Sequence, residues 1–562
     1  MNPLCTEIHT LKFLSLSVFL AVAAAACQER PAGQTAGSAN RSIFADAQPN
    51  AALHTLVDSN ELSSAVALPN MTSAERSRLA DQVKRFYKAE NYQLIWIDGD
   101  RPSKRYAQLL KVLNAADDNG LPPELYKVPI ANGEDKNARI PAESAPKLDV
   151  QATAAFFRYF IHLTAGRLDP HAIEPQWTLK PEKPELVAAL TEAVEHNKLE
   201  QTMERLKPGA PEYGELQKAL VRYRAIAAKG GWPAVSNVKL LKPGASSALA
   251  PVLRRRLAIE GDLDASHEND QTPVYDATLV DAVKRFQERH RIKPDGILQP
   301  DTIGVMNIPV QEKIRSIELN MERWRWLPDT MPARYLLVEV PDYRLDAIEN
   351  GRSVLDMRVV VGAPDKKTPI FADEMTTVIF SPYWNVPPDI AKTETAPNAA
   401  RDPGYLDRNN MEVVDASGQP VDASSVDWSN PSGVRIRQRP GADNALGGVK
   451  FIFPNNFDVY LHDTNAGKLF DRIERGLSHG CVRVEEPQKL AEYVLRDFPE
   501  WTPEQISAAM QAGQEKGVKL KTPIPVFIVY MTARVHEGGV RFLKDIYGHD
   551  AEQSAQLWPK QS

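Results

Sequence analysis

Apolar positions along this chain follow two different periods. From Thr72 to Pro233 they recur at helical spacing: Leu79, Val83 and Phe86 share one face, Ala154, Phe157, Ile161 and Ala165 another, and Leu216, Leu220, Tyr223 and Ala227 a third. Ser73 is placed to cap the first of these helices, and Gly166 and Gly230-Gly231 close the others. This predicts a helical scaffold over 71–237. A compact unit follows over 238–310. It has a short helix around Leu253 and Leu257, a second through Leu279, Val283 and Phe286, and an Asp295-Gly296 turn. Ile314 to Trp326 reads as a connecting helix within 311–332, with a heavily aromatic end.

After Pro332 the period falls to two. Tyr335–Val340, Arg344–Glu349 and Val354–Val361 alternate like strands, and Asn350-Gly351 marks a tight hairpin. Val378–Phe380, Val449–Phe453, Phe457–Leu461 and Val526–Tyr530 add strands, Leu490–Leu495 a helix, and Gly538-Gly539 a late hairpin. The predicted fold class is multidomain α+β, with a mostly β domain over 333–549 and a tail over 550–562. Asp389 to Val434 interrupts it with a long polar stretch, and such a stretch in a compact domain is functional or disordered.

The chain has 562 residues, enough for about three or four domains. Apolar residues are 43% and charged residues 25%, an ordinary globular balance. The formal charge of −6 is small, and with no long basic run nucleic acid is excluded as an expected partner. The N-terminus changes the picture more. Lys12 precedes an apolar run from Phe13 to Ala26, shorter than the ~20 residues a spanning helix needs, so 1–27 reads as an export signal. Small residues before Cys27 resemble a lipoprotein processing site, with plain A-x-A cleavage as the alternative. The resemblance implies lipidation at Cys27 and an outer-membrane lipoprotein on the periplasmic side, with membrane contact only through that anchor. Residues 28–70, rich in Ala, Ser, Asn and Gly, read as a flexible tether.

Export leaves Cys481 as the one cysteine of the folded part, without an intramolecular disulfide partner. An unpaired thiol in an oxidising compartment fits chemistry better than packing. It stands in Ser478-His479-Gly480-Cys481-Val482-Arg483, downstream of Tyr460-Leu461-His462-Asp463. An imidazole beside a thiol raises the nucleophilic fraction, glycine admits a carbonyl to the backbone, and an arginine fork suits a carboxylate.

This joint pattern resembles the active-site signature of the cysteine L,D-transpeptidases, which cross-link bacterial peptidoglycan. The resemblance implies Cys481 as nucleophile, His462 as general base, the Asp463 carbonyl as orienter, the N–H of Gly480 as oxyanion donor, and His479 in support. Ser478, Arg483, Tyr460, Trp384, Arg437 and Arg439 are the candidate substrate contacts. Ser381–Pro388 also resembles the family, where Trp384 and its neighbours border the cleft. Larger members carry a substrate cap where 389–434 stands, so that stretch is expected to be a lid. The run from Ala282 to Thr302 resembles a small three-helix peptidoglycan-binding domain. Implied partners are peptidoglycan stem peptides and glycan. No metal or cofactor is implied, since no His/Cys/Asp cluster has ligand spacing. Three alternatives stay open on this pattern: an L,D-carboxypeptidase, a ligase anchoring proteins to the wall, or a non-catalytic wall-binding scaffold.

Overall fold

The computed structural model describes residues 47–128, 139–173, 177, 185–429, 431–536 and 538–559. The signal, Cys27 and the first part of the tether lie outside them. The second part of that tether is corrected. Ala51–Asp58 and Leu62–Ala65 are helices, the first capped by the Asn50 side chain, which accepts from the Leu53 N–H. Leu53 and Val57 are fully buried in the core of the scaffold, which also contains Phe86 and Phe157. An eight-residue helix is marginal alone. Burial of its Leu53/Leu56/Val57 face holds it, a short pattern hidden by the polar residues around it. The next helix, Ser73–Ala89, is capped by Thr72 rather than Ser73, with Oγ1 accepting the Glu75 N–H at 3.1 Å.

Three helices, Leu249–Glu260, Ala277–Arg289 and Pro300–Met306, form the small module around Leu253, Leu257, Phe286 and Met306. Its Asp295-Gly296 turn requires glycine: φ is +68°, and a Cβ there would meet Val280 at 2.7 Å. The helix Val310–Trp324 packs back on the scaffold helix Pro211–Ala228, Ile317, Met321 and Trp324 meeting Tyr213, Leu216 and Leu220.

The β domain is built on nine strands among the described residues: β1 Arg334–Glu339, β2 Arg344–Glu349, β3 Arg352–Gly362, β4 Phe371–Phe380, β5 Val449–Ile452, β6 Leu461–His462, β7 Gly476–Ser478, β8 Val482–Val484 and β9 Lys516–Val529. Their order is β7-β3-β8-β6-β5-β4-β9-β1-β2, and β2 pairs again with β3, closing the sheet on itself. Strand alternation buries both faces. Leu336, Val338, Val526 and Ile528 fill the interior, while Tyr335, Leu337, Phe527 and Val529 meet the connecting helix and scaffold. Phe457 to Tyr460 is not strand as expected. Asn455 folds it into a turn, its side chain accepting from the Phe457 and Val459 N–H groups, and Asp458 takes φ +55°.

A buried charge cluster fastens the three parts. Asp342 of the β domain accepts from Arg291 of the small module at 2.8 Å and from Arg541 at 3.2 Å. Arg534 pairs with Glu339 at 2.9 Å and with Glu212 of the scaffold at 3.1 Å. Burial favours the neutral acid at Asp342, but Arg291, Arg541 and Arg534 outweigh it and hold the carboxyl below its usual range. Asp342→Ala leaves their charges buried without this counter-ion. We expect a loss of about 3–5 kcal/mol, read as an earlier urea transition. A shift under about 1 kcal/mol would show the cluster to be solvated.

Candidate active site

Register in the sheet decides which side chains meet. Strands β6 and β8 pair in parallel, Leu461 beside Val482 and His462 beside Arg483. Across the other edge of β6, Lys450 lies opposite His462. Leu461 and Val482 point into the core at no exposure. Alternation therefore puts Lys450, His462 and Arg483 in one row on the outer face. The Val482 N–H bonds the Tyr460 carbonyl at 3.2 Å, so Cys481 stands beside Tyr460 in the next row of the same face.

The thiol is half-buried and free. Its Sγ donates to the carbonyl of Asp458 at 3.5 Å, and Tyr460 bonds it through both backbone and side chain. Burial pushes the thiol up to about 11, against the opposing Tyr460 backbone bond. His462 is buried. Its Nδ1 meets the Asp463 carbonyl at 2.5 Å, which makes Nδ1 the protonated nitrogen and leaves the lone pair on Nε2. Burial first, then Arg483, drives the imidazole down to about 3, with the Asp463 carbonyl opposing. Both groups therefore rest neutral. The Arg483 guanidinium carries a buried Nε with no hydrogen-bond partner among the described residues.

Above this floor lies a cleft of about 680 Å³. Tyr460, Asp458, Lys450 and Cys481 form its base; Asn385, Val386, Pro387, Pro388, Ala391, Lys392, Ser429, Pro431, Ser432, Val434 and Arg435 supply roof and walls. The stretch 389–434, expected as a lid, supplies much of this roof. It is a folded cap with its own sheet, Trp384–Asn385, Arg435–Gln438, Met411–Val414 and Pro420–Val421 in that order, and a core of Val386, Ala399, Leu406, Met411, Val413 and Ile436.

Several expected contacts sit elsewhere. Ser478 is buried: its Oγ donates to the Cys481 carbonyl at 2.6 Å and accepts the Gly480 N–H at 3.2 Å, so it ties the loop instead of meeting substrate. That second bond also occupies the Gly480 N–H expected to face an oxyanion. Gly480 takes φ +119°, which explains the glycine by backbone shape. Arg437 and Arg439 are both spent on Glu412, at 2.6 and 2.9 Å. Trp384 packs against the cap core, and Asn385 next to it reaches the cleft. His479 is exposed and pairs through Nε2 with Glu394 of the cap at 2.8 Å; Glu394 also meets Lys366 at 3.4 Å. Lys450, Lys392 and Arg435 were missed. Only the strand pairing of Lys450 with His462 marks it, and that pairing is not written in local sequence.

Residues 333–526 match the family profile described as "L,D-transpeptidase catalytic domain", 250–306 that described as "Putative peptidoglycan binding domain", and 81–220 that described as "Scaffold domain". A curated protein of Haemophilus influenzae named "Putative L,D-transpeptidase" is 34% identical over 241 residues, 42% of this chain and 48% of that protein. The chain thus spans about half the length of the curated relative it matches. Among solved structures it is similar to an L,D-transpeptidase from Mycobacterium smegmatis, at 11% identity and TM-score 0.18 over 35% of this chain and 58% of that one. It is also similar to the L,D-transpeptidase from Xylanimonas cellulosilytica, at 13% identity and TM-score 0.16 over 52% and 99%. Among the described residues no helix is long and apolar enough to cross a membrane.

Proposed function

We propose that this chain, whose residues 333–526 match an L,D-transpeptidase catalytic domain, is exported and cross-links peptidoglycan stem peptides, diaminopimelate to diaminopimelate, through a thioester on Cys481. The observation that supports it is the strand register, in which Cys481, at the base of a capped cleft, and His462, buried beneath it, share one sheet face. The Cys481 sulfur attacks the donor carbonyl that precedes the terminal D-alanine, and its proton passes to Nε2 of His462. The C–N bond breaks, that proton goes to the leaving amine, and D-alanine departs. The side-chain amine of a second stem attacks the thioester; its proton returns through His462 as the thiol is released. Asp463 holds the ring through its carbonyl. The Cys481 N–H is the oxyanion donor in this scheme, since Ser478 holds that of Gly480. Burial first, then Arg483 and Lys450, keeps the imidazole neutral, and Lys450 sets a cation in the cleft floor under an anionic peptide.

The soluble chain incubated with a disaccharide-tetrapeptide should give a dimer lighter than two monomers by one D-alanine. Tripeptide alone would mean water is the acceptor, and no product would remove the catalytic reading.

The cap has a role in that choice, because a waiting thioester must be shielded from water. Among the described residues, Glu394 of the cap bonds the nucleophile loop through His479. That pair is exposed and worth at most about 1 kcal/mol, or roughly fivefold. We expect Glu394→Gln to raise the tripeptide-to-dimer ratio by two- to fivefold. An unchanged product ratio by mass spectrometry would show that this pair does not hold the cap.

A further inference from the structure

A second cavity, larger than the thiol cleft, lies elsewhere in the described residues. It holds about 780 Å³ where the small three-helix module meets the β domain. The module lines one side with Gln287, His290, Lys293 and Val305; the β domain lines the other with Tyr343, Ile473, Phe542 and Lys544. Lys313, from the connecting helix, reaches it from below.

Lys313 is only 2% exposed. Its amine donates to His290 Nε2 at 2.9 Å, a lone pair made available because His290 Nδ1 is bonded to the Phe286 carbonyl at 2.9 Å. The amine also lies 4.0 Å over the Phe542 ring. No carboxylate pairs with it among the described residues, so two of its three donors have no acceptor in view. Burial lowers this amine to about 7, against the pull of Glu260 and with the push of Arg289 and Arg256. A buried amine with spare donors at the end of a cavity is set up for an incoming anion. At the entrance exposed Lys293 and Lys544 pair with Asp295 at 3.5 Å and Glu474 at 2.7 Å, with Asp301 nearby, beside an apolar wall at Ile473, which is 40% exposed; Lys313 is left as the cation of this lining without a carboxylate partner among the described residues. A carboxylate with an aliphatic body behind it matches that arrangement better than a sugar face, since the one aromatic ring near the amine is already covered by Lys313.

We propose that this cavity is a second, non-catalytic site for peptidoglycan stem peptides, whose carboxylate is received by Lys313. The proposal rests on the reading of the chain as a wall-peptide enzyme. It adds that a stem bound here bridges the small module and the β domain, and so holds the two together on the wall.

The probe is the free stem tetrapeptide, titrated calorimetrically into the full chain after Cys481 has been alkylated, so that the thiol cleft is blocked. We expect binding to persist, to weaken at least tenfold in Lys313→Met, and to weaken about threefold in Lys293→Glu/Lys544→Glu. The rim variant leaves the buried groups intact and decides the matter if Lys313→Met fails to fold. Absent binding by the alkylated chain, or unchanged affinity in the variants, overturns the second site. Turnover by the unalkylated chain in that case leaves the catalytic reading standing. Binding here without any turnover would instead remove the catalytic reading alone.

Discussion

Cys481→Ala is expected to release no D-alanine from a disaccharide-tetrapeptide, and His462→Ala to release it about 10²–10⁴-fold more slowly than the native chain. The loss should fall on kcat with KM little changed, because His462 is buried beneath the cleft and does not line it. The size follows from the resting state. With the thiol near 11 and the imidazole near 3, almost no thiolate exists at neutral pH, so the proton must leave during attack. Without Nε2 it must go to water. His479 offers a contrast in the same motif: it is exposed and bound to the cap, so His479→Ala should cost no more than about fivefold. Equal losses at 462 and 479 would make His479 the base and sink the assignment.

That contrast also marks what local sequence conveys. The Ser478–Arg483 motif and its upstream histidine pointed to one site, because a thiol, an imidazole and a glycine at fixed spacing have few structural uses. Period-two alternation marked β2 to the residue, since Leu345 and Ala347 are buried between half-buried neighbours, and the turn at Asn350-Gly351 that ends it takes φ 48° and 76°. Other features depend on partners distant in sequence. Lys450 joins the site only through pairing with His462, and Arg437 leaves it only because Glu412 lies opposite on a neighbouring strand. Leu53 and Val57 look like isolated apolar residues in a polar tract until Phe157 and its neighbours supply the surface that buries them. The internal fold of the cap was hidden for a related reason. Its core is six small or medium side chains spread over fifty residues of polar sequence, too few for any run to show periodicity.

The three parts share more than a tether. The connecting helix covers the outer face of β1 and β9, and the Asp342 cluster ties module, scaffold and β domain at one point. The large cavity opens beside that joint, and Arg291 lines it while bonding Asp342. The small module and the thiol cleft are thus built onto one body, so in the proposed function a chain held at the module presents its cleft at a fixed orientation.

Alkylation of Cys481 by iodoacetamide should speed up about tenfold for each pH unit from 7 to 10, roughly 10³-fold in all. Burial holds the thiol neutral until about 11, so over this range the reactive thiolate grows in proportion to hydroxide. His462 contributes no step of its own, because it loses its proton near 3 and stays neutral throughout. The sign separates two kinds of site. A preformed thiolate–imidazolium pair would alkylate as fast at pH 6 as at pH 9, since its thiolate is already complete. Here the thiol is bonded to the Asp458 carbonyl and turned toward Tyr460, with two cations, Lys450 and Arg483, flanking the imidazole it would have to charge. In the proposed reaction substrate supplies what the resting site lacks: a peptide carboxylate against Lys450, which lines the cleft and pairs opposite His462, relieves the charge beside the ring and lets it accept a proton. Saturating stem tetrapeptide should therefore make His462 more basic, and acylation of Cys481 by the bound peptide should vary far less with pH than alkylation of the free enzyme. A flat alkylation profile between pH 6 and 9 would show that the ion pair exists before substrate arrives.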